Sequence, residues 1–258
     1  MNIQHHTKKM YDQYGHLYQK TRDEHHSSRA YNEFLEVPAM FKAVGNIKGK
    51  KLLDLGCGAG VHIQHYLKKG AKCWGRDISK TMLDLAKKRC PTVDFTLGSI
   101  TQLPYKDNSF DLVISSLCLD YVKDIDKAFK ETQRVLKKGG LFYFSDESPI
   151  AAARERYEDD KFIIAGLGKF VDKKTGKQIS LGKAWDERVC TWEMVPGMAL
   201  KTYSRTFRTK LLQLRKAGFE LVDFIDCKPT LGFKKLNPKE YAVFSKIPMF
   251  SIYVVQKK

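Results

Sequence analysis

The chain has 258 residues, 43% hydrophobic and 29% charged, which is enough apolar material for one large packed domain. No run of 18 apolar residues occurs and the polar start MNIQHHTKKMYDQYGH lacks a secretory apolar stretch, so a membrane-spanning helix is excluded and a cytosolic protein is expected. The formal charge of +17 is uneven: residues 161–258 carry 20 Lys/Arg against 8 Asp/Glu, which fits either a lysine-rich soluble surface or an anionic partner.

In chain order, residues 1–47 read as an N-terminal helical cover. Tyr11, Tyr14 and Tyr18 fall on one face of a helix over 6–22. A second helix over about 29–45 is expected to start at Ser27 or Ser28, to meet a possible interruption at Pro38 and to end at Gly45. Residues 48–146 alternate regularly: strand patterns at 51–55, 71–76, 93–97, 110–115 and 141–145 are separated by helical patterns at 61–68, 79–88 and 125–136. Such alternation predicts a parallel sheet with helices on both faces.

The alternation breaks at 147–203, read as an insertion after the fifth strand: a helix over 149–161, a turn at 173–176 and an extended run over 189–194. Its position above the carboxyl ends of the strands suits a lid. Trp185, Trp192, Met194 and Met198 fit either the wall of an apolar pocket or the insertion's own core. Residues 204–258 complete the sheet with a helix over 206–216 and strands over 219–225 and 251–255. No helical pattern separates these last two, so an antiparallel pair is expected. The fold class is therefore α/β: a Rossmann-like doubly wound sheet of seven mostly parallel strands with a late antiparallel strand.

Cysteines 57, 73, 90, 118, 190 and 227 are scattered without a CxxC pair, and all seven histidines lie in the first quarter without ligand-spaced partners. Free thiols, surface histidines and no metal site are expected.

The chemistry concentrates at LLDLGCGAG, where Gly56, Gly58 and Gly60 follow the first strand. Three glycines cost conformational entropy unless something approaches the backbone closely. The spacing is not the GxGxxG of a dinucleotide site, and no Gly-Lys-Ser/Thr grips a triphosphate, leaving a phosphate-free nucleoside as the ligand. Asp77 at the tip of the second strand is placed to accept both ribose hydroxyls, and Ile78 and Met82 to lie against a flat base.

The segments LLDLGCGAG, RDISKTM, GSITQLPYKDNSFDLVISSL and VLKKGGLFYFS resemble, in order and spacing, the class I S-adenosylmethionine-dependent methyltransferases, in the small-molecule branch that includes the quinone-biosynthesis type. The resemblance covers about residues 30–147, and more faintly 203–219. It implies S-adenosylmethionine as cofactor and S-adenosylhomocysteine as product. Asp54 and Gly56 would face the methionine end, and Cys57, Gly58 and Gly60 would run along the ligand. Asp77 would hold the ribose, with Ile78 and Met82 beside the adenine. Ser99 and Ile100 stand where the family often has an acid for the adenine amino group. Ser116 and Leu117 would serve the methionine amino end, and Tyr11 and Tyr18 would either cover the cofactor or pack on the sheet edge.

Methyl transfer from a sulfonium needs no enzyme nucleophile, and a general base only where the acceptor sheds a proton. Asp120, Asp146 and Glu147 are the candidates for that base, each with an alternative as a cap or strand-end charge. Tyr203 and Arg205 are candidates for the substrate. A small-molecule acceptor is the leading reading. The alternatives are an RNA or protein methyltransferase using the basic C-terminal third, and a non-catalytic S-adenosylmethionine binder. No RNA-binding module is recognisable, and Ser115-Ser-Leu-Cys stands where base methylators carry Asn-Pro-Pro-Tyr.

Overall fold

Tyr11, Tyr14 and Tyr18 lie on one helix, α1 (Ile3–Asp23), in the computed structural model, which describes residues 3–24, 31–148, 170–171, 178–179 and 187–258. The cap expected at Ser27 or Ser28 falls outside the described residues. A π-helical turn over Asn32–Glu36 runs directly into α2 (Val37–Val44). Pro38 accounts for it: its ring lacks an N–H and crowds the carbonyl four residues back, that of Phe34. Phe34 O instead accepts from Thr230 N at 2.9 Å. The expected interruption is thus a widened turn rather than a break.

The alternating region follows as β1 (Lys51–Leu55), α3 (Val61–Lys68), β2 (Lys72–Asp77), α4 (Lys80–Arg89), β3 (Asp94–Leu97), β4 (Phe110–Ser116), α5 (Ile125–Val135) and β5 (Leu136–Glu147). Ser79 caps α4 by accepting from Met82 N, and Asp124 caps α5 by accepting from Lys127 N. Two-residue strands β6 (Phe170–Val171) and β7 (Gln178–Ile179) pair with each other. The run expected over 189–194 is one arm of a hairpin, β8 (Arg188–Glu193) against β9 (Ala199–Ser204). The helix expected over 149–161, the turn at 173–176, Trp185 and the side chain of Trp192 lie outside what is described.

The chain closes with α6 (Phe207–Lys216), β10 (Phe219–Asp226), α7 (Leu231–Leu236), α8 (Pro238–Phe244) and β11 (Phe250–Lys257). Here α7 and α8 correct the expectation of no helix between the last strands. At six and seven residues they are too short to show a hydrophobic period.

Seven strands form one sheet in the order β10-β11-β5-β4-β1-β2-β3. All neighbours from β5 to β3 pair in parallel, whereas β11 pairs antiparallel with both β5 and β10. Strand alternation sorts the core into two layers. Leu52, Ile114 and Val254 meet Met40, Ile63 and Leu83 on one face. Leu53, Val113, Phe142 and Phe144 meet Phe129 and Leu214 on the other. The chain reverses its direction of winding between β1 and β4, and a crevice opens beyond the carboxyl ends of strands at such a point. No helix among the described residues is long and apolar enough to cross a membrane.

Candidate active site

Beyond β1 the chain turns through Gly56 (φ 74°), Gly58 (φ 52°) and Gly60 (φ 76°), all in the left-handed region. Arg76 O fixes the turn by accepting from Gly56 N and Cys57 N. Gly56, Cys57 and Gly58 line a cavity of about 850 Å³. A Cβ on Gly56 would collide with the Cys118 side chain, and one on Gly58 would touch Met82 Cε at 3.4 Å. Gly60 does not line the cavity. Its missing Cβ lets α3 approach α4, with Ala86 Cβ 3.4 Å away, so its close neighbour is a helix rather than a ligand.

Asp77 ends β2 at the cavity wall. Its Oδ2 accepts from Gly58 N and its Oδ1 from Ser79 N, each at 2.9 Å. Both oxygens are thus tied to the turn while the residue still lines the cavity. Burial raises the Asp77 pKa, against the pull of these N–H groups. Ile78, Met82 and Ile100 line the same wall. Ser99 does not: its hydroxyl accepts from Gln4 Nε2 at 2.6 Å and faces a shallow groove alongside.

Asp54 lies beneath the turn, 1% exposed, with neither carboxylate oxygen partnered among the described residues. Burial, then the nearby charges of Asp77 and Glu36, push its pKa up to about 7 against the opposing effect of His62. His62 is itself buried and lines the cavity, 3.6 Å from the fully buried Glu36, which corrects its reading as a surface histidine. Glu36 Oε1 accepts from Ser145 Oγ at 2.7 Å, and Ser145 Oγ accepts from Leu117 N at 3.0 Å. Leu117 holds φ 47°, a strained value for a side chain, where β4 meets the cavity beside Ser116. Sequence reasoning passed over Glu36, His62 and Ser145. The available signal was helical: residues 62, 63 and 66 share the buried face of α3.

Across the cavity stand Asp120 and Tyr121, on a single 3₁₀ turn after β4, and Glu147 at the end of β5. Tyr11 and Tyr18 face them from α1, edge to face with ring centroids 5.5 Å apart, and Tyr11 meets Tyr121 at 6.3 Å in the same way. Met194, Val195 and Thr202 of the hairpin region close that side. His6 Nε2 lies 2.7 Å from Ala199 O, joining α1 to the hairpin.

Asp146 does not reach the cavity: it is 2% exposed and forms an ion pair with the buried Lys210. Tyr203 and Arg205 also fall outside the lining. Thr202 faces the cavity, so strand alternation turns Tyr203 away. The Arg205 guanidinium donates to Val122 O and Lys123 O and lies 5.0 Å from the Tyr203 ring.

Residues 53–144 match the family described as "Methyltransferase domain". A demethylmenaquinone methyltransferase of Streptomyces avermitilis is 35% identical over 184 residues, 70% of this chain and 73% of that protein. An uncharacterized protein of Haemophilus influenzae is 32% identical over 226 residues, covering 81% of this chain and 82% of that protein. Other demethylmenaquinone methyltransferases, and malonyl-[acyl-carrier protein] O-methyltransferases, are matched over less than half of their own length. A crystal structure of an S-adenosylmethionine-dependent methyltransferase from Mesorhizobium loti superposes with a TM-score of 0.69 at 27% identity, covering 86% of this chain and 97% of that one. With its seven-stranded sheet, its glycine turn and these likenesses, the chain belongs to the class I S-adenosylmethionine-dependent methyltransferases.

Proposed function

We propose that this enzyme methylates a small-molecule acceptor held between the ends of β4 and β5, α1 and the β8–β9 hairpin. The observation that carries the reading is the lining of the cavity, where Tyr11 and Tyr18 of α1, Tyr121, and Met194 and Val195 of the hairpin region surround the acceptor side, with α1 joined to the hairpin at His6 and Ala199. The names of the similar enzymes, which act on a quinone precursor and a carrier-bound acid, are in keeping with it.

The residues present fit the cofactor. Asp77 lines the cavity as a carboxylate acceptor for a ribose diol, and Asp54 offers a buried, unpartnered carboxylate below the turn for an ammonium. Ile78, Met82 and Ile100 would flank the adenine, with Gly56, Cys57 and Gly58 giving backbone approach. Ser116 and the strained Leu117 would present backbone groups to the methionine end. When bound, S-adenosylmethionine supplies an activated methyl group and its own leaving group, so the chain's task is alignment and exclusion of water. Tyr11 and Tyr18 would serve that exclusion, with residues 1–47 as a cover and 147–203 as a lid on the 48–146 and 204–258 core. Near-attack alignment contributes about 7–11 kcal/mol in favourable systems.

Six free thiols suit a reducing compartment, and we take the cytosol as its location. The test is calorimetry of S-adenosylmethionine and S-adenosylhomocysteine, followed by detection of S-adenosylhomocysteine formed with a pool of small metabolites. Binding without any turnover would leave a non-catalytic binder.

A further inference from the structure

The chain is strongly basic, yet its cavity is acidic. Asp120, Glu147 and Glu193 line the acceptor side. Among the described lining residues Lys and Arg are represented by Arg22 alone, whose guanidinium is held by Glu33 at 2.7 Å. Among the described residues, then, this wall carries acids and one cation already held by a glutamate, in a chain with 46 Lys/Arg against 29 Asp/Glu. The three tyrosines at the same end, with Tyr11 edge-on to both Tyr18 and Tyr121, add aromatic faces of the kind that attract an ammonium.

Asp120 has a structure of its own behind it. The 3₁₀ turn that carries it packs against β5, the strand of Asp146. Asp146 is 2% exposed and Lys210, its ion-pair partner, 4% exposed. Lys210 Nζ lies 5.9 Å from the Tyr253 ring centroid. A buried ion pair is costly to build and adds little net stability, so one set between α6 and β5, where β5 packs on the 3₁₀ turn that carries Asp120, calls for a purpose. Three separate segments converge here: the 3₁₀ turn, β5 and α6 with its approach at Arg205.

Building on the methyltransferase reading, we infer that the acceptor is an amine that arrives as an ammonium, that Asp120 takes its proton, and that the Asp146–Lys210 pair positions Asp120 for this. The proton passes from nitrogen to the Asp120 carboxylate and then to water. The freed lone pair forms the N–C bond as the C–S bond breaks, with the bonding electrons staying on sulfur. The product leaves as a methylated ammonium. A carboxylate acceptor has no proton to give and would meet like charge on this wall.

The titratable and charged groups near Asp120 are Asp146 and Glu147 from β5, Lys210 from α6, Arg205, Cys118 and Tyr121 beside it in the chain, Cys190 of β8 and Tyr253 of β11. Burial, then Asp146, raises the Asp120 pKa, and Lys210 works the other way. The base form therefore gains with rising pH.

The test starts with the intact protein, methyl-labelled S-adenosylmethionine and a bacterial metabolite extract split into cation-exchange-retained, anion-exchange-retained and neutral fractions. Label in the cation-retained fraction is expected. Label only in the anionic or neutral fraction overturns the amine while leaving the methyltransferase reading intact; no label in any fraction overturns both. The labelled amine is then used for kinetics and for calorimetric binding in the presence of S-adenosylhomocysteine.

Asp120→Asn is expected to lower kcat/KM at neutral pH by about 10²–10⁴-fold and to move the rise of rate to the higher pH at which the amine loses its proton unaided. It is also expected to remove the proton release that accompanies amine binding. Lys210→Gln is expected to move the rising limb to higher pH, and Lys210→Arg to restore it. An unchanged pH profile in a folded Asp120→Asn protein overturns the role of Asp120. An unshifted limb in a folded Lys210→Gln protein overturns that of the pair, and where Lys210→Gln does not fold, the position of the limb in Lys210→Arg decides.

Discussion

Asp77 Oδ2 accepts the Gly58 N–H at 2.9 Å, so the acid that ends β2 sets the shape of the turn that ends β1. One carboxylate thereby shapes the glycine turn and lines the cavity. Asp77→Ala is expected to weaken S-adenosylmethionine binding by at least about tenfold, the worth of a charge-assisted hydrogen bond, with further loss from the loosened turn. Asp77→Asn retains one acceptor oxygen and should fall between the two. Calorimetry decides, and an unchanged Kd in Asp77→Ala would remove Asp77 from the site.

Gly56 and Gly139 both hold φ 74°, but their surroundings differ. A Cβ at Gly139 meets nothing within 4 Å, whereas one at Gly56 runs into Cys118. Gly139→Ala should therefore cost only the left-handed strain, about 1 kcal/mol, and Gly56→Ala that strain plus overpacking of about 1–3 kcal/mol. Denaturant midpoints measure both. Adding Cys118→Ala to Gly56→Ala should recover the overpacking part and leave the strain. Equal losses at the two glycines would show that Cys118 yields freely.

What was legible followed from periodicity and from local chemistry. The strands of the sheet announced themselves because β1, β4 and β5 carry apolar runs and α3, α4 and α5 are long enough to show a period. The short α7 and α8 carried no such signal, and the widening at Pro38 depends on Thr230, which lies far away in sequence. At the site, Gly56, Gly58 and Asp77 were readable because a turn and a strand tip need those residue types. Gly60 was misread because a glycine against a helix and a glycine against a ligand look alike in sequence. Lys210 was invisible: its partner Asp146 is 64 residues away, and a lone lysine on an amphipathic helix reads as surface.

Asp54 gives folding a pH dependence with a definite sign. Folding raises its pKa from the ordinary 3.8 to about 7, so the folded chain keeps a proton that the unfolded chain releases. Stability is therefore lost as pH rises from about 4 to about 7, by on the order of 4 kcal/mol at most. Asp54→Asn removes this loss. The ligand-free variant should exceed the wild type in stability at pH 8, with the difference closing toward pH 4, and it should bind S-adenosylmethionine more weakly. A difference that does not vary with pH would mean that Asp54 titrates as an ordinary carboxylate.

Ser145 separates structural from ligand-directed polarity at the end of β4. Its hydroxyl accepts from Leu117 N and donates to Glu36, so Ser145→Ala leaves an N–H and a carboxylate oxygen without these partners. The expected loss of stability is about 1–3 kcal/mol for the stranded groups. Leu117 is strained and lines the cavity, so release of its N–H should also loosen the backbone there and weaken cofactor binding severalfold. Ser115 is the control: it is buried two residues away and donates to Leu55 O at 2.9 Å, without a tie to Leu117. Ser115→Ala should lose comparable stability with no loss of affinity. Matching affinities in the two variants, measured by calorimetry below their melting range, would show that the Leu117 conformation does not depend on Ser145.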